Sequence, residues 1–145
     1  MTPPQALQAT LQATLAGEHA AVYVYGVLGA RVSASAQPGL AARLSSAYSA
    51  HRGRRDQLTA MVRATGASPV AARLGYQLPT TGRSPGRLAA AALVTERRCA
   101  AGYAAAVATT SRSDRRWAID ALTDSAVRQL SFGGGPGPFP GAEEL

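Results

Sequence analysis

From Gln5 onward, Leu7, Leu11, Thr14, Glu18, Val22, Tyr25, Gly29 and Val32 recur at alternating spacings of four and three residues. This is the period of one face of an α-helix packed inside a bundle. "TPPQAL" sets proline at the helix start, where its missing N–H costs nothing. "SASAQPG" (33–39) then turns the chain. A second helix is predicted from Pro38 to Thr65 on the stripe Leu40, Leu44, Ala47, His51, Arg55, Leu58 and Val62, with Gly66 as its stop. Residues 66–84, "GASPVAARLGYQLPTTGRS", are broken by Pro and Gly and too long for a tight reversal. That length suits a connection running along a bundle. Ser84-Pro85 reads as cap and first residue of helix three, which carries Leu88, Ala92, Glu96, Cys99, Tyr103 and Val107 to about Thr110. "TTSRSD" breaks it, and Ser113 is the expected cap of helix four, "DRRWAIDALTDSAVRQL", which ends by Phe132. The predicted fold is all-α: a four-helix bundle over residues 1–132 with a long crossover between helices two and three. Residues 133–145, "GGGPGPFPGAEEL", form a Gly/Pro-rich tail, flexible or extended.

Composition supports the helical reading. The chain has 145 residues, enough for one domain with a core that needs no staples. Hydrophobic residues are 46% and mean hydropathy is −0.04, with Ala dominant and few aromatics. Ala is the best helix former, and no run rich in Val, Ile, Thr and aromatics suggests a strand. The net charge is +7, carried by 15 basic residues, all of them Arg. Arg without any Lys reflects GC-rich coding more simply than phosphate recognition. The Arg are dispersed, so no specific nucleic-acid binding is expected. Cys99 is the one cysteine, which excludes an intrachain disulfide and a multi-cysteine metal site, and it reads as a small buried hydrophobe. The N-terminus has no basic segment followed by an apolar one, and no run of about 18 apolar residues occurs. The expectation is a cytoplasmic protein with no membrane partner, and a homodimer through the Ala-rich faces is the association those faces allow.

Four ionisable residues interrupt this apolar pattern at related heights. Glu18 lies on the seam of helix one, His51 on that of helix two and Glu96 on that of helix three. Glu18 is about 17 residues before the turn centre near 35 and His51 about 16 after it, so an antiparallel pair brings them level. Glu96 is about 15 residues before the turn near 111, which projects onto helix four near Ala126, within a turn of Asp124. Buried charge is expensive unless paired, hydrogen-bonded or metal-bound, so several such groups at one level mark a site. Carboxylate-bridged dimetal bundles place a Glu on each of two helices and Glu-x-x-His on the other two. Here helix two has Tyr48-x-x-His51, with Tyr where a carboxylate would stand, and helix four has Ala121-x-x-Asp124 and no His.

The segments "EHAAVYVYGVLGAR" (18–31), "YSAHRGRRDQL" (48–58), "GASPVAARLGYQLP" (66–79) and "ERRCAAGY" (96–103) resemble the ferritin-like superfamily. More narrowly, they resemble a small ferritin-like domain family of unknown function known mainly from actinobacteria. The resemblance implies the four-helix bundle with its crossover, and it supplies no reaction. Carried over residue by residue, it implies Glu18, His51 and Glu96 as metal ligands, with Asp124 as an addition on helix four. Tyr48 and Arg55 then stand behind the ligands, with Tyr103 and His19 flanking them.

Two readings of the polar layer follow. In the first, the layer holds iron or manganese, with Zn also compatible with such donors, and supports oxidase-type chemistry. In the second, no cofactor is bound: Arg55 neutralises the carboxylates in a Glu–Arg–Glu–His network that fixes helix register, and the protein acts through its surface. Iron storage in a hollow shell is disfavoured, since the ligand set is incomplete and only eight residues are acidic. His19, about 100° around the helix from Glu18, suits a flanking hydrogen bond better than ligation. Tyr23, Tyr25, Tyr48 and Tyr103 read as packing aromatics with a satisfied hydroxyl, and Trp117 as the anchor of helix four.

Overall fold

The computed structural model describes residues 1–142. Its four helices are α1 (Pro3–Arg31), α2 (Pro38–Ala64), α3 (Pro85–Thr109) and α4 (Arg112–Ser131), and no strand occurs among the described residues. The ends follow the local chemistry. Thr2 and Gln5 cap α1 reciprocally, the Thr2 N–H donating to Gln5 Oε1 at 2.8 Å. The Ser84 hydroxyl accepts from the Arg87 N–H, and Gly66 (φ +85°) leaves α2 in the left-handed region that glycine tolerates.

Helix α4 starts earlier than Ser113. Its hydrogen-bond ladder opens with the Arg115 N–H on the Ser111 carbonyl at 3.2 Å, so Ser111 is the N-cap and its side chain makes no cap bond. The chain enters through Arg112 at φ 51°, which lets so short a connection between α3 and α4 reverse direction.

Helix α1 packs antiparallel to α2, where Glu18 meets His51 and Gly26 meets Tyr48, and antiparallel to α3, which is itself antiparallel to α4. Thr14 meets Gly102 and Tyr25 meets Ala92 across α1 and α3, so one rises as the other falls. Glu96 meets Ser125 and Tyr103 meets Trp117 across α3 and α4. Helices α2 and α3 are therefore parallel, and the connection between them must travel the length of the bundle. It does so along α1. The Ser68 carbonyl accepts from Gln12 at 2.7 Å, Tyr76 packs on Tyr23, and the Thr80 carbonyl accepts from Arg31 at 2.9 Å.

Two apolar clusters fill the interior. One gathers Leu11, Leu15, Leu58 and Val62; the larger one includes Leu28, Leu40, Leu44, Leu88 and Phe132. The stripe on α1 departs from expectation in its second half, where Ala21, Val24, Tyr25 and Leu28 are buried and Gly29 is exposed. A step of three after Glu18 replaces the expected step of four. The Gly/Pro segment after α4 is irregular but folds back on the bundle. The Gly134 N–H donates to the Gln129 carbonyl at 2.8 Å, and Gly141 lies against Ala100. Residues 143–145 of that segment lie outside the described residues.

Candidate functional site

Between the two apolar clusters lies a layer of buried polar groups. Glu18 and Glu96 are at most 1% exposed and His51 is fully buried. The imidazole is held from both edges. Nδ1 lies 2.7 Å from Glu18 Oε2, and Nε2 lies 3.0 Å from Glu96 Oε1. A carboxylate oxygen accepts, so each ring nitrogen carries a proton and His51 is an imidazolium. Burial alone would pull its pKa down, but the bonds and charges of Glu18 and Glu96 outweigh burial and raise it to about 9.

The remaining carboxylate valences are filled by hydroxyls. Tyr25 donates to Glu96 Oε1 at 2.6 Å and Ser125 to Glu96 Oε2 at 2.7 Å, while Tyr103 donates to Glu18 Oε1. Burial raises the Glu96 pKa, but the donors, His51 foremost, hold it below the ordinary carboxylate value. Both phenols move the other way. Burial first, then nearby negative charge, pushes Tyr25 and Tyr103 above the ordinary tyrosine range, so they remain donors. Tyr25 also stacks on the His51 ring, with centroids 5.2 Å apart.

A guanidinium completes the layer from outside. Arg54 donates to the Tyr103 hydroxyl at 3.3 Å, lies over its ring, and pairs with Asp124. Asp124 pairs in turn with Arg128 at 3.1 Å. Three carboxylates thus meet one imidazolium and two guanidiniums. The connected set is neutral, which is the condition for burying ions without stranding one.

The structure brings Glu18, His51, Glu96 and Tyr103 together. Asp124 stands one step away, bound to Arg54 and Arg128 and half-exposed. Arg55 is not in the layer: it turns outward to Asp56, 2.7 Å away, and Arg54 takes the inner position. Both are within about one turn of His51, and the choice falls to the one that faces α3 and α4. Tyr48 lies at the side of the larger apolar cluster beneath Arg52, without a hydrogen bond to the layer. His19 donates through Nε2 to the Val70 carbonyl at 3.0 Å and fastens the crossover. Trp117 anchors α4 through an Nε1–H bond to Gln57 at 2.7 Å and an edge contact with Tyr103.

The residues that the sequence reading passed over as members of the layer are Tyr25, Arg54, Ser125 and Cys99. A signal for the tyrosines was present. Glu18 and Tyr25 on α1, and Glu96 and Tyr103 on α3, share the spacing Glu-x6-Tyr. On antiparallel helices that spacing lets each tyrosine reach the other helix's glutamate, which is the arrangement found.

Fold and site define the class: a four-helix bundle with a long crossover and a neutral carboxylate–imidazole network in its core. The chain belongs to the family described as Domain of unknown function (DUF4439), whose model matches residues 10–144. It is similar to a solved structure described as a conserved hypothetical protein, rv2844, from Mycobacterium tuberculosis. The two share 34% identity over 90% of each chain, with a TM-score of 0.82. Comparison with curated proteins finds no match. No biochemical function is established by these likenesses. No helix among the described residues is long and apolar enough to cross a membrane.

Proposed function

We propose that the protein is a ferritin-like helical module whose core layer sets helix register without a metal, and that it acts through its surface. The ferritin-like assignment rests on the antiparallel helix pairs and on the crossover joining two parallel helices. The actinobacterial assignment rests on the mycobacterial neighbour. A cytoplasmic location fits a chain whose single cysteine is a buried thiol.

One observation carries the metal-free reading: Glu18 and Glu96 grip opposite edges of the same imidazole. A ligating histidine needs a free lone pair on one nitrogen, and here both nitrogens donate. The two carboxylates also cannot converge on one ion while the ring stands between them. The donors that come within 4.8 Å of one another are instead Glu18, His51 and Cys99. In the metal-free core, burial, reinforced by Glu18 and Glu96, raises the pKa of the Cys99 thiol.

The test is thermal unfolding with Fe(II), Mn(II), Zn(II) or chelator, together with elemental analysis after purification without chelator. No shift of the melting temperature with any of these is expected. A stoichiometric metal that survives dialysis and is lost in His51→Ala would overturn the reading.

A further inference from the structure

The segment after α4 does more than end the chain. Its backbone is pinned at two points where no side chain fits. A Cβ at Gly134 would lie 2.8 Å from Leu93 and 2.9 Å from the Gln129 carbonyl oxygen. At Gly141, with φ +79°, a Cβ would overlap the Ala100 carbonyl. Between these anchors, Gly135 to Pro140 span the gap between α3 and α4 as a strap. Prolines at 136, 138 and 140 stiffen it. The strap does not collapse onto the helices. It leaves a groove of about 390 Å³, within the usual range for small-molecule sites.

The groove's lining is chemically lopsided. Val127, Leu130 and Phe139 line it, and they are 61%, 48% and 75% exposed, so their apolar surface has no cover among the described residues. A single cation, Arg97, stands at the wall, and it joins no ion pair among the described residues. Gln129 is on the same wall, and its buried Nε2 has no hydrogen-bond partner among the described residues. No carboxylate lines the groove among the described residues.

We propose that the groove between α4 and the Gly134–Gly141 strap binds a small amphipathic monoanion, a medium-chain carboxylate. Its head group pairs with Arg97, and its apolar body covers Val127, Leu130 and Phe139. An apolar wall with one guanidinium suits such a ligand better than a neutral oil, which offers Arg97 no counter-charge. It also suits it better than a multiply charged anion, for which one guanidinium is too few. This site is separate from the buried layer, so it stands or falls independently of the metal-free reading.

Titration calorimetry of the full chain with sodium octanoate tests the proposal. A ligand of this size should bind saturably with Kd in the range of roughly 0.1–5 mM. Binding of 1-octanol should be at least about tenfold weaker, the share of the charge-assisted bonds. Arg97→Gln should weaken octanoate about tenfold or more with an unchanged melting temperature, since Arg97 is exposed. Val127→Asp, which places a like charge in the groove, should abolish binding. In nuclear magnetic resonance the Gln129 side-chain amide should shift on titration. Absence of saturation, equal binding of octanol, or an Arg97→Gln variant that binds as the parent does would overturn the proposal. So would a dimer that Val127→Asp dissociates, because the groove would then belong to a second copy.

Discussion

Tyr48 and Tyr103 are alike in the sequence, each an aromatic on a helix near an ionisable residue. Their surroundings make them different. The Tyr103 hydroxyl donates to Glu18 and accepts from Arg54, linking two charges inside the bundle. Tyr48 makes no such bond. Tyr103→Phe should therefore destabilise the fold by about 1.5–3 kcal/mol, the range for hydrogen bonds to charged groups. Tyr48→Phe should remain within about 0.5 kcal/mol. Urea unfolding of both variants measures the contrast, and equal effects would show that Tyr103 only packs. His51→Ala is more severe, because it leaves Glu18 and Glu96 facing each other without their shared cation. A loss of about 3–5 kcal/mol is expected, a large part of the stability of a domain this size. If the same measurement shows a loss below about 1 kcal/mol, the layer is not the linked charge network described.

At the scale of the element, the crossover is the part held least by burial. Its backbone takes its partners from α1 side chains. Gln12 donates to the Ser68 carbonyl and accepts from the Val70 N–H at 2.8 Å, and His19 donates to the Val70 carbonyl. These side chains do for an irregular segment what a ladder does for a strand. Gln12→Ala should speed hydrogen exchange of the Val70 amide by about 10-fold or more while leaving the α1–α3 amides slow. The global cost should be near 1 kcal/mol, since the bonds are exposed and water can replace them. Uniformly faster exchange throughout the chain would mean that the crossover and bundle unfold as one unit.

For the whole molecule, the signs of two pKa shifts set the pH range of greatest stability. The His51 pKa rises on folding from 6.5 to about 9. Its contribution is fully present below pH 6.5 and is lost as pH climbs through about 9. The Glu96 pKa falls below its ordinary 4.5, so its contribution is present above that value and is lost as pH drops through the folded-state pKa. Stability should be flat between about pH 4.5 and 6.5 and should decline by on the order of 3 kcal/mol toward pH 9 and above. Unfolding midpoints across pH 4 to 10 check this: in His51→Ala the decline between about pH 6.5 and 8.5 should disappear, leaving only the fall above about pH 9 that the raised Cys99, Tyr25 and Tyr103 pKas produce. A parent protein that gains stability between pH 7 and 9 would contradict an imidazolium in the core.

Helix number, helix lengths and the long crossover could be read from the chain because each depends on local rules. These are the 3.6-residue period of the apolar positions, Pro and Gly at the ends, and the length of the broken segment 66–84. That Glu18 is level with His51, and Glu96 with the part of α4 near Asp124, followed from counting residues either side of the turns, since rise per residue is constant in a helix. Tertiary structure decided what counting along one helix cannot. Arg54 and Arg55 differ by one residue and about 100° of rotation, and only the directions of α3 and α4 select which enters the layer. Whether Glu18 and Glu96 share an ion or share a histidine depends on which side of the imidazole each helix approaches, an offset of a few ångströms between helices. The return of Gly141 to Ala100 is likewise absent from any local pattern, because glycine and proline leave the path of a segment open until another surface receives it.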